Sequence, residues 1–368
     1  MPTRTKQKLK VLDQTIGERF SLYHGDCVEV IRGIPDNSID LTITSPPFCN
    51  LYSYSPSDRD MGNTEDDAHF MDNFDYLIPE LFRVTTPGRL CVIHCKDLPL
   101  FMGSDGVAGL RDFPGEIVKR FCGTAQERLT AQIDALFEVM DLVENKGAIE
   151  LKIARLEQEL IEAQKTNWVF HSRVTIWKCP KTEMERTNNH GLLHNQLCKD
   201  SSVSRQGMAD YLLVFRKWSP EMNGLNSVKP INRGQKNVRF KRDEYIGAEL
   251  PAKSIDARGD SIYVWQKYAS PVWFDVKQTE VLNGRIAKET DSESHICPLQ
   301  LDVIARCVDL WSNPDDVVLD PFNGVSSTGH QSIKMGRKYV GIELKRSYYQ
   351  TSIKYLQESE SAHQDELF

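Results

Sequence analysis

Seven short apolar runs, many of them separated by helix-length amphipathic stretches, constrain this chain more than any other feature. They lie at residues 20–23, 39–44, 89–94, 173–177, 211–215, 317–319 and 339–342. Several are apolar throughout, as strands buried on both faces of a largely parallel sheet must be. Helical spacing occupies residues 74–83, 113–120, 299–311 and 327–335. Strand and helix alternating in this way predict an open α/β sheet.

Composition bounds the reading. A length of 368 residues suggests two compact units or one large unit with insertions. With 40% hydrophobic and 26% charged residues, the chain has enough apolar surface to fold. No apolar run reaches the roughly 18–20 residues of a membrane span, and residues 1–10 are basic and polar with no secretory pattern behind them. The nine cysteines lack paired CxxC spacing, which fits free thiols in a reducing cytoplasm. Cys91, His94 and Cys95 would be split between two strand faces, so core packing is expected there and no metal site. The net charge of −7 argues against a uniformly basic nucleic-acid coat and leaves room for a local patch.

Two segments interrupt the alternation. Residues 126–165 are rich in Leu, Ile, Ala, Glu and Lys, with apolar positions at Leu129, Ile133, Leu136, Met140 and Val143, then at Ile149, Ile153, Leu156, Leu160 and Ala163. The stop signal Asn145-Lys146-Gly147 divides them, so a helical hairpin, or a kinked coiled-coil arm, inserted into the fold is expected. Residues 219–268 are weakly periodic and gather Lys229, Arg233, Lys236, Arg239, Lys241 and Arg242 without an intervening acid. Most charge runs are solvated loops, but a basic strip in an acidic chain is also what tracking a phosphate backbone requires. The C-terminus is a polar, mostly acidic tail, expected to be mobile.

Two strand ends carry chemistry. The run at 317–319 breaks into Asp320-Pro321-Phe322-Asn323-Gly324, and the next run ends in Glu343. In an open α/β sheet, ligands bind at the carboxyl ends of strands, where glycine admits close approach and a following acid accepts from a ribose diol. The segment after Gly324 has no lysine where a phosphate-binding loop needs one. At the other end of the chain, Ser45-Pro46-Pro47-Phe48 follows the run at 39–44. Two prolines remove donors and stiffen the turn, so a hydroxyl, a fixed carbonyl and a ring stand together. That set suits an exocyclic amino group and a planar base.

Ser-Pro-Pro-Phe early and Asp-Pro-Phe-x-Gly late resemble the S-adenosylmethionine-dependent DNA amino-methyltransferases, and the motif order resembles their circularly permuted β class, as in phage and bacterial modification methylases. Residues 87–90, 176–178, 295–298 and 336–343 agree with that likeness. The resemblance implies a Rossmann-like, mostly parallel seven-stranded sheet. It implies S-adenosyl-L-methionine held by Asp26, His295, Cys297, Pro298, Asp320, Pro321, Phe322, Gly324, Ser326 and Glu343, with Gly324 toward its methionine part, Glu343 at its ribose and Asp26 at its adenine. Ser326 stands where the family often has a second glycine. Ser45, Pro46, Pro47 and Phe48 would be catalytic, and the strands ending in Asp26, Glu343, Asp320 and Ser45 would lie side by side.

The same resemblance implies double-stranded DNA as partner, contacted by Lys181, Arg205, Lys229, Arg233, Lys236, Arg239, Lys241 and Arg242. β-class relatives often form homodimers, and a cognate restriction enzyme or a phage setting would accompany such an enzyme. Serine at position 45 resembles the cytosine-N4 branch. Adenine N6 is the alternative, because either acceptor holds an amino group, and a DNA-binding protein without catalysis is a second. Ring-carbon methylation is disfavoured, since Cys179-Pro180 and Cys297-Pro298 reverse the Pro-Cys order that chemistry uses. The expected divisions are 1–123 and 167–218 for the catalytic half, 124–166 for the hairpin and 219–270 for target recognition. Residues 271–357 would bind the cofactor, with 358–368 as the tail.

Overall fold

The computed structural model describes residues 11–47, 60–64, 67–140, 146–165, 168–187, 192, 195–218, 265, 267–283 and 298–365. Among the described residues, nine strands form one sheet: β1 (Asp13–Ile16), β2 (Phe20–His24), β3 (Ile39–Thr44), β4 (Thr85–Lys96), β7 (Trp168–Ile176), β8 (Asp210–Lys217), β9 (Val272–Trp273), β10 (Val317–Asp320) and β11 (Lys338–Glu343). A separate antiparallel pair, β5 (Leu98–Leu100) and β6 (Gly109–Arg111), follows β4. The sheet order is β1-β2-β11-β10-β3-β4-β8-β7-β9.

The run from β2 to β4 is parallel throughout, while β8 lies antiparallel between β4 and β7. All seven expected strands form. The two additional members, β1 and β9, are a polar four-residue edge and a two-residue edge, too short for periodicity to register. The expected turn at Pro87-Gly88 lies inside β4, where Ile39 pairs Thr85 but Leu41 pairs Leu90, a bulge with Gly88 at φ 85°.

Helices cover both faces. Cys27–Ile31, Asp67–Val84 and Phe113–Cys122 pack on one side, through Ile31, Phe70, Phe74, Leu81 and Phe121 against Cys91, Ile93 and Phe215. Leu301–Trp311, Ser327–Lys334 and Arg346–Asp365 pack on the other, through Val303, Cys307, Ile333 and Leu356 against Leu41, Val92 and Val318. Burying strands on both sides is what their continuous apolar sequence requires.

The insertion is two helices, Thr124–Met140 and Gly147–Lys165, which meet through Leu129, Ile133, Ile153 and Leu156 in a cluster separate from the sheet core. The tail departs from expectation. Helix Arg346–Asp365 continues into it as far as Asp365, Ser359 is buried with its Oγ 2.7 Å from His330 Nδ1, and Arg19 N donates to Glu360. Polar anchors of this kind leave no trace in hydrophobic spacing, so the segment reads as a loose end in sequence.

Candidate active site

Four neighbouring strands end at one edge. β2 leads into Asp26, β11 ends at Glu343, β10 ends at Asp320 and β3 leads into Ser45. Hydrogen bonds tie these ends together. Gly25 N donates to Glu343 O at 2.9 Å, Asn323 N to Ile342 O at 3.0 Å, and Thr44 Oγ1 to Asp320 Oδ1 at 2.6 Å. Residues from the two extremes of the chain therefore meet because the sheet order interleaves them.

The turn after β10 is held by Asn323. Its Oδ1 accepts from Ser326 Oγ at 2.8 Å and Tyr339 OH at 2.7 Å, and its Nδ2 donates to Ser352 Oγ at 2.8 Å and Gly324 O at 3.0 Å. All four hydrogen-bonding sites of the buried amide are engaged. Gly324 has φ 55°, and a Cβ there would meet only Phe322 O, at 4.0 Å, so the backbone is open to close approach. Ser326 also has a left-handed backbone, φ 71° and ψ 37°. That conformation explains the glycine preference at this place, since only glycine adopts it without steric cost.

Glu343 is buried, its Oε2 accepting from Gly324 N at 2.7 Å and its Oε1 from Lys345 N at 2.8 Å. Burial pushes its pKa up to about 8, outweighing the two N–H donors. Two donors fill half the acceptor sites of a carboxylate, so the set fits two further hydroxyl donors such as a ribose diol. Asp320 is raised to about 6 by burial, against hydrogen bonds from Thr44, Thr328 and Phe322 N. Asp26 caps helix Cys27–Ile31, its Oδ1 accepting from Val28 N and Glu29 N.

Other expected positions separate. Pro321 lies in the turn that holds the strand end. The Phe322 ring packs toward Phe74 with centroids 6.4 Å apart, anchoring the turn to the core. Pro298 stands just before helix Leu301–Trp311, whose Leu301 packs with Val325 beside the glycine. Lys181 is exposed on helix Pro180–Thr187, and Arg205 Nη2 donates to Gly109 O at 2.7 Å. Phe48, His295, Cys297, Lys229, Arg233, Lys236, Arg239, Lys241 and Arg242 lie outside the described residues.

The motif at the end of β3 has partners that its own sequence does not reveal. Ser45 Oγ lies 2.9 Å from His94 Nδ1, and His94 Nε2 lies 3.2 Å from Asp210 Oδ2. Lys178 Nζ stands 2.6 Å from the same Asp210 oxygen. Burial opposes ionisation of Asp210, but His94 and Lys178 outweigh it and hold the carboxyl well below the usual range. Cys91 and Cys95 are core residues as expected. His94 is not merely core: it sits on the other face of β4, in reach of Ser45. A lone acid heading the apolar run of β8 was the available signal for Asp210.

A family model described as DNA methylase, covering N6 and N4 methyltransferases, matches residues 39–354, and the chain belongs to that family. Over 72 residues it is 36% identical to the type II methyltransferase M1.MboII of Moraxella bovis, covering 20% of this chain and 26% of that protein. Over 64 residues it is 38% identical to the DNA adenine methyltransferase YhdJ of Escherichia coli, covering 17% and 22%. The chain thus spans about a quarter of the length of these curated relatives. TTHA0409 of Thermus thermophilus, solved in complex with S-adenosyl-L-methionine, shares the fold with TM-score 0.50 and 18% identity over 93% of this chain and 96% of its own. No helix among the described residues is long and apolar enough to cross a membrane.

Proposed function

We propose that this chain transfers a methyl group from S-adenosyl-L-methionine to the exocyclic amino group of a base flipped out of double-stranded DNA, with cytosine N4 as the target. The carrying observation is the adjacency of the Gly324–Glu343 turn and Ser45 across β11, β10 and β3. A nucleoside-binding edge beside an amino-group acceptor is the arrangement methyl transfer needs. When bound, S-adenosyl-L-methionine supplies a methyl group on a positively charged sulfur, already activated for attack.

The chain's residues then bind and orient. Glu343 accepts from the ribose hydroxyls, Gly324 allows the methionine part close to the backbone, and Asp26 borders the adenine. Ser45 Oγ and the Pro46 carbonyl accept from the amino group, favouring a more tetrahedral nitrogen. The contribution is orientation plus electrostatic support. Phe48 stacks on the flipped base, which costs a few kcal/mol to extrude. Lys229, Arg233, Lys236, Arg239, Lys241 and Arg242 contact phosphates and set register, with Lys181 at the margin. The type II naming of M1.MboII supports a restriction–modification setting.

Adenine N6 is the second reading, favoured by the likeness to the adenine methyltransferase YhdJ. The test is mass spectrometry of nucleosides from DNA incubated with the protein and S-adenosyl-L-methionine, with Ser45→Ala as control. N4-methylcytosine lost in the variant supports the proposal, and N6-methyladenine moves it to the second reading. No methylated nucleoside on genomic DNA of varied sequence, despite cofactor binding, favours a DNA-binding protein without catalysis.

A further inference from the structure

Behind Ser45 stands a chain of three side chains drawn from separate strands or their ends. His94 comes from β4, Asp210 opens β8, and Lys178 follows β7. The two strands are registered so that Leu212 pairs His94 and Asp210 pairs Lys96, which sets Asp210 diagonally beside the imidazole on one face. The Asp210 and Lys178 side chains are 9% and 7% exposed, so their charges face one another largely out of water. Lys178 is held on its other side by Gln278 Oε1 at 2.9 Å.

We propose that His94, Asp210 and Lys178 form a relay that orients the Ser45 hydroxyl and takes up the proton released by the target amino group, an inference that rests on the methyltransferase reading above. The logic is one of donors and acceptors. An ionised carboxylate only accepts, so Nε2 of the neutral imidazole must carry the proton it donates to Asp210. Nδ1 is then an acceptor, and the Ser45 O–H donates to it. The serine's lone pairs are left to accept from the amino group of the base. With the opposite tautomer, Nδ1–H would donate to Ser45, and the serine proton would point at a group that has only N–H to offer.

The proton balance follows. The amino nitrogen forms a bond to the methyl carbon of the sulfonium donor as the carbon–sulfur bond breaks, and that electron pair leaves on sulfur as a neutral thioether. The methylated nitrogen, now positive, gives one proton to Ser45 Oγ while Ser45 gives its own to His94 Nδ1. The imidazolium faces Asp210, whose negative charge Lys178 has kept fixed. His94 and its two partners are positioning residues acting through Ser45, and general-base assistance of this kind is worth about 100- to 10,000-fold.

Asp210→Asn is the sharpest test. Lys178 would hold the amide oxygen in the place of Oδ2, where it still accepts from Nε2–H, so the variant keeps the tautomer and removes only the negative charge that stabilises the imidazolium. Nitrogen-15 NMR of the imidazole should report Nε2–H in the wild-type chain and in the variant. The single-turnover methylation rate at saturating S-adenosyl-L-methionine should fall by at least about 100-fold, with cofactor affinity unchanged. His94→Ala should lose rate to a similar degree and recover part of it with added imidazole.

A wild-type rate in both variants overturns the relay, as does a proton on Nδ1 in the wild-type chain. Rate losses matched by lost cofactor affinity and lower melting temperature, with no imidazole rescue, also overturn it, because they describe a structural cluster. If the wild-type chain methylates no DNA, the methyltransferase reading fails instead, and the wild-type tautomer then decides the relay's geometry by itself.

Discussion

The backbone N–H of Gly324 donates to Glu343 Oε2 at 2.7 Å, tying the turn after β10 to the end of β11. A glycine that must leave its backbone open is thereby held in place by the acid that faces the same edge. The same contact leaves a buried carboxylate with only two donors. That electrostatic cost has a measurable pH signature.

Glu343 is raised from 4.5 to about 8, chiefly by burial, with Asp60 and Asp320 adding to it. The folded chain therefore holds this proton more tightly than the unfolded chain. The resulting stability is fully present below pH 4.5 and is lost as pH rises through about 8. Glu343→Gln should remove this dependence, so the ligand-free variant melts higher than wild type at the alkaline end of that window. The difference is of order a few kcal/mol. Calorimetric titration of the same variant above pH 8, where the wild-type carboxyl is ionised, should show S-adenosyl-L-methionine affinity falling about 10- to 100-fold, as expected for losing charge-assisted hydrogen bonds. Parallel melting curves for the two proteins across this pH range would refute the assignment.

Ser326 tests backbone strain against a side-chain bond. Its left-handed conformation costs about 1 kcal/mol relative to glycine, and its Oγ bond to Asn323 returns about 1 kcal/mol. Ser326→Gly should be near neutral in chemical denaturation. Ser326→Ala keeps the strain, loses the bond, and should be less stable than either by about 1–2 kcal/mol.

Gly341 lies in β11 where a Cβ would stand 2.6 Å from Asn323 Oδ1 and 2.8 Å from Tyr339 Cε1. Gly341→Ala should destabilise the chain by about 1–3 kcal/mol and weaken cofactor binding by displacing Asn323. Gly103, with nothing within 4 Å of such a Cβ, is the control whose alanine variant should melt like wild type.

The hairpin has its own small core. Leu156→Ala should cost about 2–3 kcal/mol within it. Hydrogen exchange should report the loss across residues 124–165, with the sheet unchanged. Faster exchange in β3 or β10 would mean the hairpin is coupled to the site.

The basic strip predicts a salt signature. Replacing Arg233 and Arg239 with Ala should weaken DNA binding across sequences and reduce the slope of log affinity against log salt by about 2. An unchanged slope would remove the strip from the DNA interface.

The strand ends of the candidate site are legible along the chain. Ser45 and Asp320 through Gly324 announce themselves because each follows a strand, where a turn must expose backbone and small polar groups. His94 was not legible as a partner of Ser45. It is flanked by apolar residues in a buried strand, and nothing local separates a core histidine from one bonded to a serine 49 positions away. Asn323 stood inside a recognised motif, but its four hydrogen bonds go to residues spread across three elements.

Neighbours within a few residues encode the alternation of strand and helix, the inserted hairpin and the polar and glycine residues that follow each strand. Only the packed chain shows that Asp210 and Lys178 stand behind His94, that Ser326 takes a left-handed backbone, and that the tail docks as helix as far as Asp365. Each rests on which strands lie adjacent and in what register. Those are set by the packing of the whole sheet, and hydrogen bonds between residues distant in sequence carry no periodic signal.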